Sequence, residues 1–238
     1  MPAVLVHGVP DTPHLWEGVR ARLSRDDVLT PALPGFVGDE PPGWDATKES
    51  YEAWLVGQLE AVGEPVDLVG HDWGGILCVR VAATRPDLVR SLVAGGCPVD
   101  PEYVWHDFAQ VLQSEAGDQL VEGITPETMG MGLEAAGLPA AAAAAAASHV
   151  NPTMAQCILR LYRSAVDVGS EWQVTAPTPF PSLLLMGGDD PYVPLAIAES
   201  MAKALGAGLE VFSGGSHWWP TDRPDEVVAQ LEEHWTPV

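Results

Sequence analysis

Short apolar runs, each closed by glycine, proline or a polar turn, alternate along the 238-residue chain with stretches whose apolar positions return every three or four residues. The runs "AVLVHG" (3–8), "VLTPALPG" (28–35), "VDLVGH" (66–71), "VRSLVAGG" (89–96), "PSLLLMGG" (181–188) and "GLEVFSGG" (208–215) read as strands. The stretches "SYEAWLVGQLEAVG" (50–63), "GGILCVRVAATRP" (74–86), "VPLAIAESMAKALG" (193–206) and "RPDEVVAQLEEHW" (223–235) read as helices. Strands alternating with helices predict an α/β fold, a mostly parallel sheet covered on both faces. Between Pro98 and Pro179 the alternation stops, and only helical patterns punctuated by glycine and proline remain. The expected organisation is therefore a core built from 1–97 and 180–238, interrupted by a helical insertion over 98–179. Within that insertion "PAAAAAAAASHV" (139–150) favours helix but offers little side chain for packing. A mobile covering helix and a solvent-facing spacer both fit it.

Composition narrows the partners. A formal charge of −22 repels phosphate backbones and anionic lipid surfaces, so nucleic acid and membrane are not expected partners. No apolar run is long enough to span a bilayer, and "MPAVLVHGVP" lacks the basic region and cleavage pattern of an export signal, so a cytoplasmic protein is expected. Cys78, Cys97 and Cys157 are widely spaced and match no metal or disulfide pattern. Neither a metal nor an organic cofactor is expected.

The chemistry gathers at strand ends. In "VDLVGHDWGGILCVRVAA" a strand passes at once into a helix through Asp72, flanked by glycines that relieve the crowding of so sharp a turn. At a helix N-terminus the dipole favours ionised Asp72, the nucleophilic form; a plain N-cap is the alternative role. "LLLMGGDDPYVP" sets Asp189 and Asp190 just after a strand, and "VFSGGSHWWP" sets His217 after the last one. Nucleophile, acid and histidine thus occur in the chain order of an α/β-hydrolase triad.

"HGVPDTPHLW" (7–16) and "GHDWGG" (70–75) resemble the oxyanion loop and the aspartate elbow of the epoxide hydrolase and haloalkane dehalogenase branch of the α/β-hydrolase superfamily. The resemblance implies Asp72 as nucleophile, His217 as base, Asp190 rather than Asp189 as the orienting acid, and the N–H groups of Val9 and Trp73 as the oxyanion hole. His7, Pro10, Trp105 and Trp218 are the candidate pocket residues. A carboxylate attacking an ester would form an anhydride, whereas attack on saturated carbon leaves an ordinary ester that water can cleave. The elbow therefore implies transfer of an alkyl group to water.

The leaving group decides between the two activities. An epoxide oxygen leaves as a strong base that needs an acidic hydroxyl, and a halide needs only N–H donors. "CILRLYRSA" (157–165) resembles the family segment that carries a cap tyrosine, which implies Tyr162 as the proton donor; packing on an apolar helix face is its other reading. A second donor falls to Tyr103, with His106 or Trp105 as substitutes. Val9 and His71 stand where dehalogenases usually have other residues, so the expected activity is hydrolysis of a small, apolar epoxide. Haloalkane dehalogenation is the alternative, and a catalytically weak binding module the second. The family's first two strands have no counterpart here, which leaves six, with the second run outermost, followed by the first, third, fourth, fifth and sixth. A truncated gene would also give this pattern. The outermost run then becomes an edge, covered either by a partner subunit of a homo-oligomer or protected by Pro31 and Pro34.

Overall fold

The computed structural model describes residues 2–236. Its core half runs β1 (Ala3–Val6), α1 (Glu17–Arg20), β2 (Val28–Leu29), α2 (Lys48–Val62), β3 (Val66–His71), α3 (Trp73–Thr84) and β4 (Val89–Gly95). Six helices follow without a strand: α4 (Asp107–Gln113), α5 (Ala116–Glu122), α6 (Pro126–Ala135), α7 (Ala140–Ala147), α8 (Pro152–Ser164) and α9 (Val168–Glu171). The chain then returns through β5 (Ser182–Gly187), α10 (Leu195–Leu205), β6 (Gly208–Phe212), α11 (Trp219–Asp222) and α12 (Pro224–Trp235). The six strands among the described residues are all parallel, in the order β2-β1-β3-β4-β5-β6, which is the order that the family resemblance implies.

Successive residues of a strand face opposite sides, so each strand feeds two cores. Val4 and Val6 of β1, Leu68 of β3, Leu92 of β4 and Leu184 of β5 pack with α2, α3 and α8 on one side. Ala3, Leu5, Val69, Val93 and Leu185 pack on the other with Trp16, Val19, Trp219 and Leu231. Burying a side chain of this size contributes roughly 1.5–3 kcal/mol, so the double core supplies the main driving force for the fold. The expected strand over 28–35 is corrected: only Val28 and Leu29 pair, because Pro31 and Pro34 have no N–H to offer the ladder. The last strand likewise stops at Phe212, before the turn at Gly214 and Gly215.

Candidate active site

The three triad candidates stand on loops at the C-terminal ends of β3, β5 and β6, where parallel strands open a crevice. Asp72 joins β3 to α3 with φ 53°, a left-handed conformation unfavourable for a side chain. The turn closes only because Gly70 and Gly74 approach it: a Cβ on Gly74 would run into the Val6 carbonyl, and one on Gly70 into the Gly74 carbonyl. Although Asp72 occupies the N-cap position, its side chain makes no capping bond. Its Oδ1 instead accepts the Val9 N–H at 2.6 Å, and its Oδ2 lies 3.7 Å from His217 Nε2. Trp73 is the first residue of α3, where the helix offers its N–H no acceptor.

His217 Nδ1–H donates to Asp190 Oδ2 at 2.8 Å, and Asp190 Oδ1 is fixed by the Tyr192 and Val193 N–H groups at 2.8 and 3.1 Å. Asp189 is exposed and reaches no part of this network. Burial alone would push His217 down, but Asp190 and Asp72 outweigh it and hold it up to about 10. Burial would raise Asp190; the imidazolium and the two N–H groups win, and its carboxyl lies below the ordinary value. The neutral ring of buried His71, pushed down to about 4 by desolvation, donates Nε2–H to the His217 carbonyl at 2.8 Å and steadies that loop.

A cavity of about 500 Å³ opens over Asp72 and His217. Val9, Pro10, Trp105, Trp218, Tyr103 and Tyr162 all line it. His7 is corrected: it is fully buried behind the loop, where Nε2 accepts the Leu33 N–H at 3.0 Å and Nδ1–H donates to the Gly8 carbonyl at 2.8 Å. That role ties two loops together and leaves no atom for substrate.

Tyr162 arrives on α8, whose buried positions Met154, Ala155, Ile158, Leu161 and Tyr162 form one helical stripe. Ile158 and Tyr162, one turn apart, both face the cavity. The Tyr162 ring meets Trp73 edge-on at 5.4 Å, and burial together with the Asp72 charge pushes its hydroxyl well above the ordinary phenol. Trp73 Nε1–H has no partner of good hydrogen-bond geometry, although it lies close enough to favour the ionised form of Tyr162. Two alternative donors have their protons engaged elsewhere. The Tyr103 hydroxyl donates to the Tyr192 carbonyl at 3.1 Å, and the Trp105 indole donates to the Ala165 carbonyl at 3.2 Å. His106 caps α4, its Nδ1 accepting the Ala109 N–H at 3.3 Å, so the neutral ring carries its proton on Nε2.

Of the residues that escaped the sequence reading, Tyr192 and Asp11 bear most directly on the triad. Tyr192 crosses the His217 ring at 5.0 Å; its place two residues after Asp190 was the available signal. Asp11, directly after Pro10, is 4 % exposed and accepts the Trp218 indole N–H at 3.3 Å. Burial and the nearby Asp72 carboxylate push Asp11 up to about 7.

Residues 3–230 match the alpha/beta hydrolase family. The chain belongs to that family. Among its relatives, epoxide hydrolase 3 of Siraitia grosvenorii is 36% identical over 98 residues, covering 38% of this chain and 30% of that protein. The haloalkane dehalogenase of Mycolicibacterium paratuberculosis is 31% identical over 122 residues, 46% of this chain and 40% of its own length. In three dimensions the haloalkane dehalogenase DbeA of Bradyrhizobium elkani superposes with a TM-score of 0.80 at 21% identity, covering 98% of this chain and 90% of that one, a likeness of fold alone.

Proposed function

We propose that this alpha/beta hydrolase adds water to epoxides through an alkyl ester on Asp72. The observation that carries this reading is Tyr162: a buried phenol that keeps its proton shares the cavity with a carboxylate that caps nothing and bonds one N–H. Oδ1 lies in the oxyanion site, so Oδ2 attacks the epoxide carbon. The carbon–oxygen bond opens and the ring oxygen takes its proton from Tyr162. His106, which carries its proton on Nε2 and lines the cavity, assists in place of Tyr103, whose hydroxyl donates to the Tyr192 carbonyl. Alkylation cancels the Asp72 charge, one of the two that hold His217 protonated, so the imidazolium gives up its proton to the phenolate left on Tyr162 and is a neutral base when water must be activated. Water then adds to the Asp72 carbonyl carbon while Oδ1 develops charge against the Val9 N–H.

Dehalogenation is the second reading, favoured by the unpartnered Trp73 indole N–H, a ready donor to a halide. Against it, the Trp105 indole is committed to Ala165 and Val9 brings no side-chain donor. A binding module without turnover is the third. Incubating a His217→Ala variant with styrene oxide and with 1-bromohexane, then mapping peptides by mass spectrometry, separates them. An ester on Asp72 from the epoxide supports hydrolysis, release of bromide with no epoxide adduct supports dehalogenation, and no adduct from either supports binding alone.

A further inference from the structure

A second cavity, of about 210 Å³, lies behind the oxyanion loop. Pro10 lines the main cavity and Asp11 the second, so the two stand back to back across one turn of chain. The Asp11–Trp218 hydrogen bond forms their shared wall, and Trp218 packs on His217 at 5.2 Å. The second cavity has a mixed lining, with Asp11, Thr12, His14 and Glu17 set among Leu15, Leu138 and the alanines of α7, and it reaches the surface at the exposed His14–Glu17 pair. Its other side is α7, where Ala142 and Ala146 face the space with single methyl groups. A cavity this roomy, with Asp11, Thr12, His14 and Glu17 to bond to, has the partners that water needs, whereas apolar side chains dominate the cap side of the main one, where a bound ester would lie.

We propose that the second cavity is the water supply for the hydrolytic half of the reaction, entering beside Asp11 and Trp218 on the His217 side of Asp72, and that the alanines of α7 keep it open. This inference rests on the ester intermediate of the reading above. One water oxygen bonds to Cγ of Asp72, and His217 Nε2 takes the proton. The Cγ–Oδ2 bond then breaks, Oδ2 leaves with the diol and takes the proton on His217, and the carboxylic acid left at Asp72 gives the second water proton to His217, restoring the resting pair. Charge at Asp11 is coupled to both Asp72 and His217, as expected of a group beside that path.

The test fills the cavity from the far side with Ala146→Leu, and with Ala142→Leu at a half-buried position that carries less folding risk. Ala144→Leu, on the exposed face of α7, is the control. With styrene oxide in single-turnover experiments, filling is expected to slow ester hydrolysis by about tenfold while alkylation changes by less than about twofold. Ester hydrolysis at the wild-type rate, or an equal fall in both steps, overturns the proposal. Deuterium exchange of the Trp218 indole N–H, followed by NMR without substrate, reads water access independently. If no epoxide ever alkylates Asp72, the epoxide reading fails, and this exchange decides alone: slowed in the filled variants, it supports water entry by this route; unchanged, it overturns it.

Discussion

Strand β3 and the turn after it carry two aspartates with opposite fates. Asp67, fully buried near the start of the strand, is held by Arg25 at 2.8 Å, by Arg90, and by the Ser91 hydroxyl at 2.6 Å. Asp72, just past its end, has one backbone N–H and an imidazole 3.7 Å away, and it opens to a cavity. A carboxylate whose lone pairs are occupied by cations has little reactivity to offer, and removing it takes a partner from Arg90 and from the Ser91 hydroxyl, while Arg25 keeps Asp27. A carboxylate left under-bonded on a strained backbone is a poor contributor to stability and a good nucleophile. Parallel strands place these environments at opposite ends, since their C-terminal ends bear the loops that open the crevice.

The largest expected effect is on Asp72, the proposed nucleophile. Asp72→Asn should lower kcat by about 10⁴-fold or more while urea unfolding shifts by less than about 0.5 kcal/mol. A large loss of stability would instead make Asp72 a structural residue. The converse is Asp67→Ala, expected to cost about 1–3 kcal/mol in the same urea titration with kcat of the folded protein unchanged. Equal damage to both properties would erase the contrast. Tyr162→Phe should slow alkylation by about 10²-fold against epoxides and leave any bromide release from haloalkanes unaffected. The smallest effect is one of pH. Asp190 and Asp72 raise His217 above its ordinary value, so its charge stabilises the fold below about pH 6.5 and ceases to as pH rises through the folded value. His217→Gln should therefore cost more stability near about pH 6 than near about pH 10; a cost that does not shrink contradicts the pairing.

The contrast between the two aspartates was only half legible in the sequence. "GHDWGG" announces Asp72 because a tight strand-to-helix turn needs small neighbours, a local constraint written in adjacent residues. Nothing local marks Asp67, whose partners Arg25 and Arg90 arrive from other segments of the chain. The same rule governs the rest. Strand positions and the helix-only stretch followed from local periodicity and the strand order from the family resemblance, whereas "VLTPALPG" promised a longer strand than its prolines permit. His7 looked like a pocket residue because its neighbours in sequence are, yet its ring turns inward to Leu33. Tyr103 and Tyr162 look equivalent as letters. They differ because one hydroxyl meets a carbonyl from the loop after β5 and the other stays buried against Trp73, and no pattern within either segment encodes that distinction.

The alanine-rich segment is the clearest example of a feature whose meaning lies elsewhere. As a run it specifies only a helix; against the Pro13–Trp16 turn it leaves space that larger side chains would fill. Its role in the proposed scheme comes from what it leaves empty.

The central claim is that Asp72 is alkylated by the epoxide and freed by water at its own carbonyl carbon. A single turnover of styrene oxide by excess protein in water labelled with heavy oxygen tests it directly. The account predicts diol carrying only ordinary oxygen and the label in the carboxyl group of Asp72. Label appearing in the diol, with Asp72 unlabelled, would mean that water attacks the epoxide itself and would contradict it.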